Sequence, residues 1–192
     1  EYEAKVKTPG ETFEQALSAK LTKLTGAPVC GKTFRIHRDV RFSKDKTPYN
    51  VHLRMAFREE DAAQRGEMGC AAAYMLSIEA DRITLGGGSF EFPGTMLDRL
   101  RAAIADDKTG NALDKLLAKY QADGMRMEEP ELKRVPAPYA ADHPRGNLLR
   151  RKTISIWRDL AAKDATGMKD PVAACAGHFK ALIPLNRWLA DL

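Results

Sequence analysis

Apolar side chains recur at helical spacing near the start of the chain. Five of them, three or four residues apart, define one face: Phe13, Ala16, Leu17, Leu21 and Leu24. The preceding tetrapeptide Thr-Pro-Gly-Glu begins at Thr8 and is typical of a capping box with proline at the first helical position. Gly26 follows the last apolar residue, so the pattern predicts a helix from about Thr8 to just before Gly26.

The next two segments alternate between apolar and polar positions, as strands do. Residues 34–42 place four apolar side chains on one face: Phe34, Ile36, Val40 and Phe42. Residues 50–57 do the same: Val51, Leu53, Met55 and Phe57. The charged segment 43–48 should turn the chain, which predicts an antiparallel pair. Segments 70–80 and 82–85 are further strand candidates, and Gly86, Gly87 and Gly88 are expected to form a loop.

Helical patterns dominate the second half. Helices are predicted after Pro93, from Asn111, from Asn147 through Leu160, and from Pro171, with Pro184 expected to kink or interrupt the last one. Strands followed by helices indicate the α+β class. We therefore predict a small antiparallel sheet in the first half, packed by helices from the N-terminus and the second half, in a single domain of residues 1–192.

Composition limits the possible functions. Hydrophobic residues make up 44% and charged residues 30%, as in ordinary globular proteins. No apolar run reaches the roughly 18 residues of a membrane helix, and no secretory signal is visible, so we expect a cytoplasmic location without a membrane partner. The chain begins with Glu1 rather than Met, and we expect that part of a natural N-terminal segment is missing.

The cysteine pattern argues against disulfides and metal sites. An odd and scattered set of three favours a reducing compartment: Cys30, Cys70 and Cys175. Cys175 and His178 have the spacing of two metal ligands on a helix, but two ligands do not make a site. We therefore expect neither a metal nor a cofactor.

Positive charge is concentrated in one stretch. The net charge of the chain is +5, and the segment from Lys32 to Arg54 alone holds seven basic and two acidic residues. The basic residues there are Lys32, Arg35, Arg38, Arg41, Lys44, Lys46 and Arg54. An excess confined to one segment predicts an electropositive patch.

Within this stretch, Arg35, His37, Asp39 and Arg41 would share one strand face at intervals of roughly 6 to 7 Å. Guanidinium groups at that spacing can clamp a phosphate or carboxylate. His37 could move a proton near neutral pH and Asp39 could orient its neighbours, which makes these two the candidate catalytic residues. The pattern thus predicts a small-anion site with five candidate ligand-binding residues: Arg35, Arg38, Arg41, Lys46 and Tyr49.

Two alternatives stay open. Arg38 falls on the apolar face of the predicted strand, where an unpaired charge costs several kcal/mol, so it needs a distant acid such as Glu91 or Asp142. The first alternative is therefore a structural or interaction module whose arginines form an internal salt-bridge network. The second is a nucleic-acid binder, because a predicted helix carries more cations: Arg145, Arg150, Arg151 and Lys152. The aromatic content of only 7% and the lack of a nucleic-acid motif disfavour it.

One motif resembles a known family. The pattern Arg35-x-x-Arg38-Asp39-x-Arg41-Phe42-x-x-x-Asp45-Lys46-x-x-Tyr49 resembles the signature of a bacterial family catalogued as domain of unknown function 2461. The segments GGGSFEFPGTMLDRLRAAI, LKRVPAPYAADHPRGNLLRRK and FKALIPLNRWL resemble other parts of that family, so the likeness covers nearly the whole chain. The resemblance implies the fold and a cytoplasmic location. It implies no activity, because the family is uncharacterised.

Overall fold

The computed structural model describes residues 1–38, 41–42, 44–60 and 72–192. Its five strands form one antiparallel sheet in the order β1-β2-β3-β4-β5: β1 (Val29–Thr33), β2 (Leu53–Glu59), β3 (Ala73–Ile78), β4 (Arg82–Ser89) and β5 (Ile154–Ala161). Within the described residues, a π-helical turn (Glu3–Lys7) precedes six helices: α1 (Thr8–Thr25), α2 (Gly94–Ala105), α3 (Asp107–Ala122), α4 (Gly146–Leu149), α5 (Ala162–Thr166) and α6 (Pro171–Ala190). The predicted α+β class with a small sheet is confirmed.

The chain divides into two compact units. The first contains Glu1–Glu60, Tyr74–Gly86 and Asp159–Ala181, and the second is built mainly from Gly87–Arg158 and Leu182–Leu192. None of the helices in the described part of the chain is long and apolar enough to cross a membrane.

Helix α1 follows the predicted periodicity and covers β1 and β2. Leu17 and Leu21 are fully buried, and Gly26 ends the helix in the left-handed conformation at a φ of 80°. The helix begins at Thr8 with proline in its first turn, as predicted, but Thr8 does not act as a cap because the π-helical turn leads directly into the helix. The aromatic core of the first unit lies further along the chain, where Phe179 contacts Phe57 and Tyr74 at ring-centroid distances of 6.1 and 5.3 Å.

The first predicted strand is displaced towards the N-terminus. Regular pairing joins β1 to β2. Past Thr33 only single contacts between described residues continue the antiparallel arrangement, so residues 34–38 and 41–42 do not form the predicted strand. Phe42 is 96% exposed and Val51 is 86% exposed, whereas both were expected to face the core. Val40, which belongs to the same prediction, lies outside the described residues.

The reason for this irregularity is a mismatch between the two sides of the hairpin. The amide of Phe34 donates to the carbonyl of Arg54, and the amide of Asn50 donates to the carbonyl of Ile36. On the first side, one residue lies between Phe34 and Ile36. On the second side, three residues lie between Asn50 and Arg54. The two extra residues break the ladder and turn Val51 outwards.

The three consecutive glycines lie within β4 rather than in a loop. Gly88 has a φ of 131°, and a Cβ there would overlap the carbonyl oxygen of Ile154. Glycine is therefore needed here because two backbones approach closely, and the predicted loop was wrong.

The predicted helix from Asn147 through Leu160 was also wrong. Helix α4 makes a single turn, and β5 follows it with Ile154 and Ile156 buried. The amide of Trp157 donates to the carbonyl of Arg126, and the amide of Arg126 donates to the carbonyl of Trp157. These bonds satisfy backbone groups that an extended chain cannot pair within itself. β-Branched residues favour this outcome over a helix.

The remaining helices agree better with the predictions. Helix α2 follows Pro93 as expected, and α3 begins four residues before Asn111 because Asp106 caps it by accepting a hydrogen bond from the amide of Thr109. Pro184 lies inside α6 without interrupting it.

The second unit is organised around a buried guanidinium. Arg145 is only 8% exposed. It donates to the carbonyl oxygens of Ile104, Ala105 and Asp106 at 2.6 to 3.2 Å, where α2 ends. It also donates to side-chain oxygens of Asp107 and Asn111 at 3.0 Å, in the first turns of α3. These bonds satisfy carbonyl groups that a helix end leaves without partners.

The predicted basic helix face is not formed by the residues proposed for it. Besides Arg145, Arg151 is also only 8% exposed, and it donates to the Glu128 carbonyl and the Asn147 side chain. Two of the four proposed cations are therefore inside the second unit, on either side of the single turn of α4 and before β5 begins.

Space for the Arg145 side chain depends on Gly110 in α3. A Cβ on Gly110 would overlap both the Ile104 carbonyl oxygen and Nε of Arg145. We expect Gly110→Ala to lower the free energy of unfolding by about 1–3 kcal/mol, because the buried guanidinium must move. Gly177 in α6 has open space around its Cβ position, so Gly177→Ala should instead raise the free energy by about 0.4–1 kcal/mol. Urea unfolding of both variants measures the difference, and a neutral Gly110→Ala would contradict the packing described.

Candidate anion-binding site

The segment of residues 34–52, called the arm below, carries most of the predicted site. Three main-chain hydrogen bonds hold its two sides together: Phe34 N to Arg54 O at 2.9 Å, Asn50 N to Ile36 O at 2.7 Å and Arg38 N to Pro48 O at 2.9 Å. His37 and Tyr49 form an isolated antiparallel bridge, and their rings lie 5.3 Å apart. The arm therefore presents residues from both of its sides to the same surface.

A cleft of about 350 Å³, called the basic cleft below, opens at the base of the arm. Its described lining residues are Phe34, Arg35, His37, Asn50, His52, Arg54 and Met75. Two guanidinium groups and two imidazoles thus meet at one concave surface of the first unit.

The electrostatics of the basic cleft are one-sided. None of the described lining residues is acidic. Among the described residues, neither Arg35 nor Arg54 forms an ion pair, whereas Arg82 pairs with Glu79 at 2.9 Å. Burial holds the pKa of His52 below its usual value, the positive charge of Arg54 adds to this effect, and Glu79 opposes it. Removing water from the imidazolium and placing a cation beside it both favour neutral His52.

A second cleft of about 750 Å³, called the aromatic cleft below, adjoins the basic cleft. The two share Phe34, Arg35 and His37. The aromatic cleft is otherwise lined by Tyr2, Glu3, Lys7, Glu11, Thr33, Ile36 and Tyr49. Lys7 and Glu3 pair with each other at 2.7 Å, so the aromatic cleft places the rings of Tyr2, Phe34 and Tyr49 next to the cationic surface, with the Glu11 carboxylate as a further lining group.

The structure brings together three of the predicted site residues. Arg35 and His37 line both clefts, and Tyr49 lines the aromatic cleft. Arg41 and Lys46 are exposed and line neither cleft, although the Arg41 guanidinium lies 5.9 Å from the ring centroid of Phe42. The candidate catalytic residue Asp39 lies outside the described residues.

Arg38 has a different environment from the one predicted. Its side chain is 28% exposed rather than buried, and it pairs at 2.5 Å with Asp45. The partner is therefore seven residues away and is neither Glu91 nor Asp142. Asp45 also accepts hydrogen bonds from the amide and hydroxyl of Thr47. The hydrogen bonds from Arg38 and Thr47 hold the pKa of the Asp45 carboxyl well below its usual range. The wrong strand assignment caused this error, because a regular strand would have turned Arg38 towards the core.

Sequence reasoning missed three residues of the basic cleft: Asn50, His52 and Arg54. The sequence contained a signal for two of them, since His52 and Arg54 alternate with the apolar residues Leu53 and Met55 at the end of the arm. An antiparallel hairpin necessarily places them beside the residues that leave β1.

Comparison with known proteins gives a family. The family model described as "Conserved hypothetical protein (DUF2461)" matches residues 1–188. No curated protein matches the chain. Because the family model covers nearly the entire sequence, we conclude that the protein belongs to the DUF2461 family of conserved hypothetical proteins.

Proposed function

We propose that the protein binds a small molecule with a phosphate or carboxylate group, and that this group occupies the basic cleft. One observation carries the proposal: Arg35, His37, His52 and Arg54 line a single 350 Å³ cleft that has no acidic side chain among its described lining residues. Four cationic or potentially cationic groups in one cleft repel one another unless an anion joins them.

The geometry suits recognition of an oxyanion. Guanidinium groups offer paired N–H donors that match the oxygens of phosphate and carboxylate groups. Protonated imidazoles add further donors, and the Asn50 amide can donate as well. His37 and His52 also have the chemistry to transfer a proton near neutral pH, so the same site can support general acid–base catalysis.

The arginines outside the basic cleft support a different role. Arg38 pairs with Asp45, and Arg145 pairs with Asp107 at 3.0 Å. These pairs agree with the alternative of an internal salt-bridge network, but that alternative does not account for Arg35 and Arg54. Our expectation of a reducing, cytoplasmic compartment rests on the odd and scattered set of cysteines in the sequence.

Arg54→Gln tests the proposal directly. We expect this variant to weaken binding of inorganic phosphate about tenfold to a hundredfold, since a charged hydrogen bond contributes about 1.5–3 kcal/mol. Isothermal titration calorimetry measures the dissociation constant. Lys23→Gln removes the same charge from an exposed position of α1 and should leave the affinity unchanged. Equal affinities for the two variants would refute the proposed site.

The pH dependence of binding gives a second test, with sulfate as the probe because its charge is constant in the relevant range. The low pKa of His52 leaves it neutral in the free protein near neutral pH. Sulfate binding should strengthen as the pH is lowered from about 8, because protonation of His52 adds a positive charge and a hydrogen-bond donor to the basic cleft. His52→Gln should reduce this dependence. An unchanged pH profile in His52→Gln would exclude His52 from the site.

The aromatic cleft predicts a preference for ligands with a ring. Tyr49 is 51% exposed and Phe34 is 40% exposed, so both rings have surface to contribute to a ligand. We expect phenyl phosphate to bind about three- to tenfold more tightly than methyl phosphate, as aromatic contacts contribute about 0.5–1.5 kcal/mol. Tyr49→Ala should remove most of this preference. Phe42→Ala, at an exposed arm position outside both clefts, should retain it. A preference that survives Tyr49→Ala would contradict the assignment.

A further inference from the structure

We infer that the second unit contains another oxyanion site, in a groove between the segments 133–135 and 141–150. The groove encloses about 470 Å³. Four of its described lining residues are basic: Lys133, Arg134, His143 and Arg150. The others are Val135, Ala141, Pro144, Gly146 and Asn147. This site shares no residue with the basic cleft and does not depend on the function proposed above.

Hydrogen bonds hold both walls of the groove in place. The amide of Leu132 donates to the carbonyl of Arg150 at 3.0 Å. The Glu131 carboxylate accepts from the Lys152 amide and the Thr153 hydroxyl, both at 2.8 Å. The segment 141–150 is fixed by the buried Arg145 side chain. These bonds hold the backbone that carries the cations, which lessens the ordering that ligand binding would require.

His143 has a defined tautomer in this frame. Its Nδ1 accepts a hydrogen bond from the amide of Arg145 at 3.0 Å. The proton of the neutral imidazole must therefore be on Nε2, which makes His143 a hydrogen-bond donor whether it is neutral or charged. A donor in both protonation states suits an acceptor ligand such as a phosphate oxygen.

The basic side chains of the groove lack ion-pair partners among the described acids. None of the described lining residues is acidic, and none of the four basic side chains forms an ion pair with a described acid. The nearby Glu131 carboxylate is already engaged by Lys152 and Thr153. Asp142 precedes His143 but does not line the groove.

These observations specify the ligand class. Two guanidinium groups, an ammonium group and an imidazole N–H match several acidic oxygens better than one carboxylate. The volume also exceeds what a single inorganic phosphate fills and falls within the range of small-molecule sites. We therefore assign the groove to a pyrophosphate or phosphate-ester group of a small molecule.

The test uses pyrophosphate and a protein in which the first site is disabled by Arg35→Gln and Arg54→Gln. Isothermal titration calorimetry should show one remaining equivalent of pyrophosphate bound. Adding Arg150→Gln should weaken that binding about tenfold or more, through loss of a charged hydrogen bond. Adding Lys119→Gln, at an exposed position of α3, should not change it. Arg134→Gln repeats the test at an exposed position if Arg150→Gln lowers the melting temperature.

The outcomes separate the two sites. No binding to the Arg35→Gln, Arg54→Gln protein, or equal losses with Arg150→Gln and Lys119→Gln, would overturn the second site. If Arg150→Gln removes pyrophosphate binding and Arg54→Gln leaves it intact, the result would support the second site and refute the basic cleft. Displacement of pyrophosphate by a single-stranded oligonucleotide, with affinity falling steeply as salt increases, would overturn the assignment to a small-molecule ligand.

Discussion

The buried guanidinium of Arg145 is the interaction on which the second unit depends. It joins the last carbonyls of α2 to the first turns of α3, while its own backbone amide fixes the His143 ring. A buried cation is costly to remove from water, and only a full set of acceptors offsets that cost. The absence of a side chain at Gly110 is a condition for this arrangement, because a Cβ would occupy the guanidinium's position. One arginine and one glycine thus determine how the two helices meet.

The arginines of this protein fall into two groups by their partners. Arg145 and Arg151 are buried and donate to main-chain carbonyls, so their charges belong to the fold. Arg35 and Arg54 line the basic cleft, which has no acid among its described lining residues. Like charges held together without counter-charges cost free energy in the unliganded protein. Such a cluster is expected where binding of an anion recovers that cost.

Local sequence patterns predicted the secondary structure correctly wherever it depends on residues that are close in sequence. Helices α1 and α2 follow from apolar spacing and from Gly26 and Pro93. The errors arose where distant segments decide: Gly88 requires contact with Ile154, and Trp157 is extended because it pairs with Arg126. Arg38 was misplaced because two extra residues in the arm break the ladder, a feature that alternation alone cannot show. Of the candidate site, Arg35, His37 and Tyr49 were predictable, while His52 and Arg54 required knowledge of the pairing.

Counting charges along the sequence therefore located a basic segment but could not identify which cations are available. The segment from Lys32 to Arg54 carries the net excess, yet Arg38 is neutralised by Asp45 within it. The later segment from Glu128 to Lys152 holds six basic and four acidic residues, so its excess is only +2. In the structure, the Glu131 carboxylate binds Lys152 N and the Thr153 hydroxyl instead of the neighbouring cations. Whether a cation is available to a ligand depends on which acids pair with it in the fold. In this respect the basic cleft and the groove of the second unit are alike.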